Sequence, residues 1–121
     1  MKNKVFILAI VITFIISSCS SDSPKDLVDV VPVAGKVTFT QYIKPITDGN
    51  CISCHGTIPS GGAPMSLTNY AQVKDALLNR GLIERITKAP GDGLLMPQGG
   101  PKLPQNKIDL VMQWQVDGLL E

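Results

Sequence analysis

The most restrictive feature of the sequence is a pentapeptide near its middle, Cys51-Ile52-Ser53-Cys54-His55. Two thiols separated by two residues and followed directly by an imidazole form the pattern of covalent haem attachment outside the cytosol. Each thiol can form a thioether with a haem vinyl group, and the adjacent histidine is then held against the iron as its proximal ligand. The pentapeptide therefore predicts one covalent haem c on Cys51, Cys54 and His55.

Other uses of a Cys-x-x-Cys pair fit the chain less well. A structural zinc site takes four Cys or His ligands, but the chain has three cysteines and one histidine in total, and Cys19 has another predicted fate. A thioredoxin-like redox pair needs a strand–helix–strand context that the flanking sequence does not show. A disulfide between Cys51 and Cys54 stays open as an alternative, although it would close a very small loop.

The first 18 residues have the form of an export signal. Lys2 and Lys4 precede residues 5–16, which are apolar except for Thr13. This run has the length of a signal-peptide core and is shorter than the about 20 residues of a membrane-spanning helix. Residues 1–18 are therefore predicted to be a signal peptide that is removed.

Cys19 directly follows Ile16-Ser17-Ser18. An aliphatic residue and two small residues before a cysteine resemble the lipobox of bacterial lipoproteins, in which the signal is cut before the cysteine and its sulfur carries diacylglycerol. The resemblance implies lipidation at Cys19, and an anchor in the inner or outer membrane of the cell envelope. The alternatives are an ordinary secretory signal cut nearby and an uncleaved anchor.

The remaining length predicts a single domain. Without residues 1–18 the 121-residue chain has 103 residues, enough for one small domain. Residues 19–35 are expected to form the lipidated N-terminus and a flexible linker, because residues 20–26 are polar. The apolar side chains of Val30, Val31 and Val33 could pack on the domain. Residues 36–121 are predicted to be the haem domain.

The charge balance gives no sign of a nucleic-acid partner. Without Lys2 and Lys4, the 11 basic side chains fall to 9 against 10 acidic ones. A nucleic-acid site calls for a concentrated basic patch, whereas these lysines are scattered. We expect most of them to be solvated, although some could surround the haem edge and orient a redox partner.

Residues 36–121 carry helix signals and no convincing strand alternation. Thr38 or Thr40 can cap a first helix that reaches toward residue 48, with Pro45 in its first turn or at a kink. Asn69 and Gln72 form a capping-box pattern for a second helix. Gly81 ends that helix, and residues 82–86 are expected to form a short third one.

The last helix is predicted to begin with Pro104 at its first position. An apolar stripe then runs along it, widened by Leu110 and Trp114, and its members are Ile108, Val111, Met112, Val116 and Leu119. Met112 lies within this stripe and is therefore expected to fill space in the core.

The second axial ligand of the iron is predicted to be Met96. His55 is the only histidine of the chain, so a second internal imidazole ligand is excluded. Met65 follows His55 by only 10 residues, and the chain would have to round the haem edge quickly to reach the other face. Met96 lies 41 residues downstream, in a loop where Pro97 favours extended backbone. The alternative is that Met96 packs against the haem without ligation.

Together these residues resemble the class I cytochrome c family over residues 38–121. The resemblance is carried by Gln41-Tyr42-Ile43-Lys44-Pro45-Ile46 before the haem motif and by Met96-Pro97-Gln98-Gly99-Gly100 before a helix with Trp114. Gln98 departs from a second proline in the family pattern. The resemblance implies an all-α, small cytochrome c fold of four to five short helices around one covalent haem. Its first and last helices would cross beside the haem.

The expected function is one-electron transfer by a lipid-anchored carrier rather than catalysis. Iron with both axial positions filled by His55 and Met96 has no open place for a substrate. The expected partners are redox proteins of the cell envelope, met by a monomer whose domain lies in the periplasm. One alternative is a haem ligand-binding or peroxidase-like domain with a labile distal ligand. Another is a lipoprotein without haem that docks into an envelope complex.

Overall fold

The computed structural model describes Val33 and residues 35–121. The predicted signal at residues 1–18, the predicted lipidation site Cys19 and most of the predicted linker at 19–35 lie outside the described residues. Val33, which belongs to that linker, packs against the core of the domain.

The first helical segment leads directly to residues 51–55, the predicted haem motif. It opens as a π-helical turn, Phe39–Ile43, and continues as helix α1, Lys44–Asn50. The Thr38 hydroxyl accepts a hydrogen bond from the Gln41 N–H at 3.4 Å, which confirms the predicted cap. A regular helix through this point would press the Pro45 ring against the carbonyl four residues earlier. The wider π turn ends just before that proline, so the chain continues as a helix.

Helix α2, Tyr70–Asn79, begins at Asn69 as predicted. The Asn69 side chain accepts from the Gln72 N–H at 3.0 Å. In a capping box the Gln72 side chain would accept from the N–H of the cap residue, Asn69. Here it accepts instead from the N–H of the preceding residue, Thr68, at 2.8 Å. Gly81, with φ of 67°, turns the chain in a conformation that favours glycine. Helix α3, Leu82–Thr87, follows at once.

Helix α4, Gln105–Val116, differs from the sequence prediction at both ends and on its outer face. Pro104 is its N-cap rather than its first helical residue, and Leu119 lies beyond its last residue. Met112 and Val116 were expected in the apolar stripe but are 45% and 79% exposed. The reason is the rotation of the helix about its axis: Ile108, Val111 and Trp114 define the buried face, and Met112 falls on the outer one.

The two ends of the domain are joined by an aromatic cluster. The ring centroid of Phe39 lies 5.7 Å from that of Tyr70 and 5.9 Å from that of Trp114. Trp114 is fully buried, and its indole N–H donates to the Leu120 carbonyl at 2.7 Å. The same carbonyl accepts from the Phe39 N–H at 2.8 Å. These contacts pack the first helical segment against the C-terminal helix.

The described residues contain four α-helices and no β-strand, so the all-α prediction is confirmed for this part of the chain. The nearest approach to a sheet there is one isolated parallel bridge between Thr38 and Leu120. None of the helices between residues 35 and 121 is long and apolar enough to cross a bilayer.

Candidate functional site

A cavity of about 350 Å³ lies between the haem motif, the loop that follows it, helix α3 and the loop before α4. The predicted haem-binding residues Cys51, Cys54, His55 and Met96 all line it. Most of the remaining lining is apolar, with side chains such as Leu67, Ile86 and Leu103. The fold therefore brings together residues that are up to 45 positions apart in the sequence.

The haem motif lies on a tight turn at the end of α1. The Cys51 N–H donates to the Thr47 carbonyl at 2.8 Å, which continues the helical hydrogen bonding past Asn50. The Cys51 carbonyl then accepts from both the Cys54 N–H, at 3.1 Å, and the His55 N–H, at 2.9 Å. This turn keeps the two thiols and the imidazole close together at one wall of the cavity.

Close backbone packing at this turn explains why the residue after the motif, Gly56, is a glycine. A Cβ atom placed on Gly56 would lie 3.0 Å from the Ile52 carbonyl oxygen. That distance is too short for an ordinary van der Waals contact, so a larger residue would have to displace the turn.

The two thiols are free and differ in environment. Cys54 is exposed, whereas Cys51 is partly buried against the core. Burial disfavours the charged thiolate and raises the pKa of Cys51 to about 11. At neutral pH Cys51 is therefore a protonated thiol.

His55 is buried and has a defined orientation. Its Nδ1 lies 2.7 Å from the backbone carbonyl of Met65. Because a carbonyl can only accept, Nδ1 carries the proton, and Nε2 is the nitrogen with a lone pair for a metal. A second tie holds the same segment: the His55 carbonyl accepts from the Leu67 N–H at 2.8 Å.

Two methionines line the cavity, and the backbone places them differently. Met65 supplies the carbonyl that holds the His55 ring, so its backbone lies beside the imidazole. Met96 comes from a separate loop, which is tied to α3 by a 3.1 Å hydrogen bond from the Met96 N–H to the Arg85 carbonyl. The Met96–Pro97 peptide bond is cis. The backbone of Met65 is therefore hydrogen-bonded to the His55 ring, whereas the backbone of Met96 is hydrogen-bonded to α3.

Two arginines in the cavity wall were not singled out from the sequence. Arg80 follows the end of α2, and Arg85 lies within α3. The lysines considered as possible neighbours of the haem are absent from this lining among the described residues. No local sequence pattern indicates that Arg80 and Arg85 line the same cavity. The cavity forms only when α3 packs against the haem motif and the Met96 loop.

The donor set of the cavity fits haem c. It offers two free thiols, an imidazole with Nε2 available and a thioether, the groups that hold haem in cytochromes c. The volume lies within the roughly 300–1,000 Å³ of typical cofactor and ligand sites. Within residues 35–121, no three His, Cys, Asp or Glu side chains converge as a metal site.

Comparison with known proteins adds no relative. No protein-family model, no curated protein and no solved structure matches this chain.

Proposed function

We propose that this chain is a lipid-anchored one-electron carrier with a single covalent haem c, and that its domain is a class I cytochrome c domain. The observation that carries the proposal is the convergence of Cys51, Cys54, His55 and Met96 on one largely apolar cavity. They are the same four residues that the sequence pattern predicts for haem attachment and iron ligation.

Each of the four residues has a distinct role in the proposal. When bound, haem supplies a one-electron couple between ferric and ferrous iron. Cys51 and Cys54 would hold it through thioether bonds. His55 would bind the iron through Nε2, with its ring fixed by the Met65 carbonyl, and Met96 would be the second axial ligand. Two protein ligands leave no open iron position, which favours a carrier over an enzyme.

The surroundings of the site suit electron transfer. Most of the cavity lining is apolar, with side chains such as Leu67, Ile86 and Leu103. An apolar site disfavours the extra positive charge of ferric iron, and a methionine ligand acts in the same direction. We therefore infer a reduction potential above that of a comparable site with two histidines.

The helical arrangement supports the finer fold assignment. We infer a small cytochrome c fold, because the π turn and α1 pack against α4 through Phe39 and Trp114, and because α1 leads directly into the haem motif. In this proposal Cys19 carries the lipid and the domain lies in the periplasm. A monomer would exchange electrons there with redox proteins of the cell envelope.

The test of the proposal is a visible spectrum of protein produced with a c-type maturation system, followed by extraction with acidified acetone. Haem should stay with the polypeptide, and Cys51→Ala or Cys54→Ala should leave one thioether or block maturation. Haem that extracts freely from the wild type would overturn the proposal. Rapid binding of carbon monoxide to the wild-type ferrous protein would replace electron transfer by the ligand-binding alternative.

A further inference from the structure

The charges in the cavity wall are unbalanced. Of the charged side chains in the described part of the chain, Arg80 and Arg85 line the cavity, and no aspartate or glutamate does. A largely apolar cavity with two cations and no anion is complementary to a ligand that has an apolar body and at least one acidic group.

The two arginines differ in how their charge is used. The Arg80 side chain is 51% exposed, and its Nε lies 2.7 Å from a carboxylate oxygen of Asp75. This arginine is therefore already neutralised within the protein and solvated.

Arg85 is in the opposite situation. It is partly buried, and its guanidinium has no hydrogen-bond or ion-pair partner within the described residues. The neighbouring acid, Glu84, is engaged by Lys88 at 3.3 Å. A partly desolvated guanidinium without a counter-charge is unfavourable, and its planar set of donors matches a carboxylate.

Arg85 also connects this wall to the loop of the predicted axial ligand. Its backbone carbonyl accepts from the Met96 N–H at 3.1 Å. A group held by the guanidinium would thus be held by the same short helix, α3, that fixes the Met96 loop.

We infer that Arg85, and not Arg80, is the positioning residue that binds a carboxylate of the molecule in the cavity. The inference rests on the proposed function, in which that molecule is haem and the carboxylate is one of its propionates. Arg85 would hold an acidic group of the haem through a charge-assisted hydrogen bond, while Cys51 and Cys54 would hold the haem covalently. Because the thioethers retain haem in either case, a weaker carboxylate contact leaves the cofactor in place and can be measured there.

The experiment compares the reduction potentials of holoprotein carrying Arg85→Gln, Arg80→Gln or Arg85→Lys. Loss of the Arg85 charge leaves an unbalanced carboxylate near the iron and favours the ferric state. Arg85→Gln should therefore shift the ferric–ferrous equilibrium toward ferric iron by about threefold or more. Arg85→Lys keeps a cation and should recover much of the shift, and Arg80→Gln should change little. Equal shifts in the two glutamine variants, or no shift in Arg85→Gln, would overturn the inference.

A measurement on the wild type decides the matter even where Arg85→Gln fails to mature. In nitrogen-15 NMR spectra of the ferrous holoprotein, the Arg85 Nε–H should exchange slowly with water, because a carboxylate holds it. Fast exchange would count against the inference. Absence of covalent haem from the wild type is a different result, since it removes the proposed function itself.

Discussion

Met96 is the single residue on which the proposed carrier chemistry most depends. Replacing it by alanine should remove the weak far-red sulfur-to-iron band of the ferric protein, open the iron to carbon monoxide and lower the reduction potential. The physical reason is that a thioether favours ferrous iron, whereas the water or lysine that replaces it favours ferric iron. Visible spectroscopy and a redox titration measure these changes.

Met65→Leu and Met112→Leu are the matched controls for Met96→Ala. The hydrogen bond from His55 to residue 65 uses the backbone carbonyl and survives the substitution. Met112 is on the outer face of α4. Volume-conserving swaps of this kind usually cost less than about 1.5 kcal/mol. Loss of the far-red band in Met65→Leu would mean that the loop after the haem motif supplies the ligand.

Gly56 and Gly49 provide a second comparison at single positions. Gly56→Ala should destabilise the holoprotein by about 1–3 kcal/mol, because its Cβ would crowd the Ile52 carbonyl at 3.0 Å. Gly49 lies within α1 with open space around it, so Gly49→Ala should stabilise by about 0.4–1 kcal/mol. Urea unfolding followed by circular dichroism gives both values. The close contact would be unimportant if the two substitutions behaved alike.

The elements are tied together at the C-terminal end of α4. One oxygen of the Asp117 carboxylate accepts from the Val37 N–H at 2.7 Å, and the other accepts from the Gln113 side chain at 2.9 Å. The Val37 bond first, and then the Gln113 bond, lower the pKa of Asp117 below its ordinary value. This carboxylate connects the start of the domain to its last helix.

The lowered pKa of Asp117 predicts a pH dependence of folding. The stabilisation is present above the unfolded-state pKa of about 3.9 and is lost as pH falls below it and through the folded-state value. Asp117→Asn should therefore lower the free energy of unfolding at pH 7 more than at pH 3. Urea titrations at the two pH values measure the difference. Asp109→Asn, at a carboxylate that bonds Gln105 of the same helix, is the control and should keep the wild-type difference. If Asp117→Asn lowered the free energy of unfolding equally at pH 7 and pH 3, the prediction would be contradicted.

At the scale of the whole molecule, the proposed location at the membrane depends on Cys19. Cys19→Ser should leave the haem domain able to mature, because Cys19 lies in the predicted linker and not in the predicted haem domain at residues 36–121. It should also release the protein from membranes or stall its processing. Membrane fractionation and mass spectrometry of the N-terminal peptide, expected to begin at a diacylated Cys19 in the wild type, test this. Membrane attachment that persists in a processed Cys19→Ser protein would show that another feature anchors the chain.

Local chemistry in the sequence was sufficient for several features of the fold. The caps at Thr38 and Asn69, the turn at Gly81 and the helical content of residues 38–121 were all predicted from neighbouring residues. Each depends on contacts between residues three to five positions apart, which a linear pattern records directly. The selection of Cys51, Cys54 and His55 was local in the same sense.

The tertiary structure alone decided how these pieces meet. The outward position of Met112 depends on the rotation of α4 against its neighbours. Seven apolar residues in and after this helix leave several rotations possible, so the sequence pattern does not fix which side faces the core. The Met65 carbonyl at His55, the Asp117 bond to Val37 and the unpaired Arg85 depend on packing between distant segments. The sequence by itself predicted which residues would hold a haem. Only the packing of the helices decided that they line one cavity, because that arrangement is set by contacts across the whole domain.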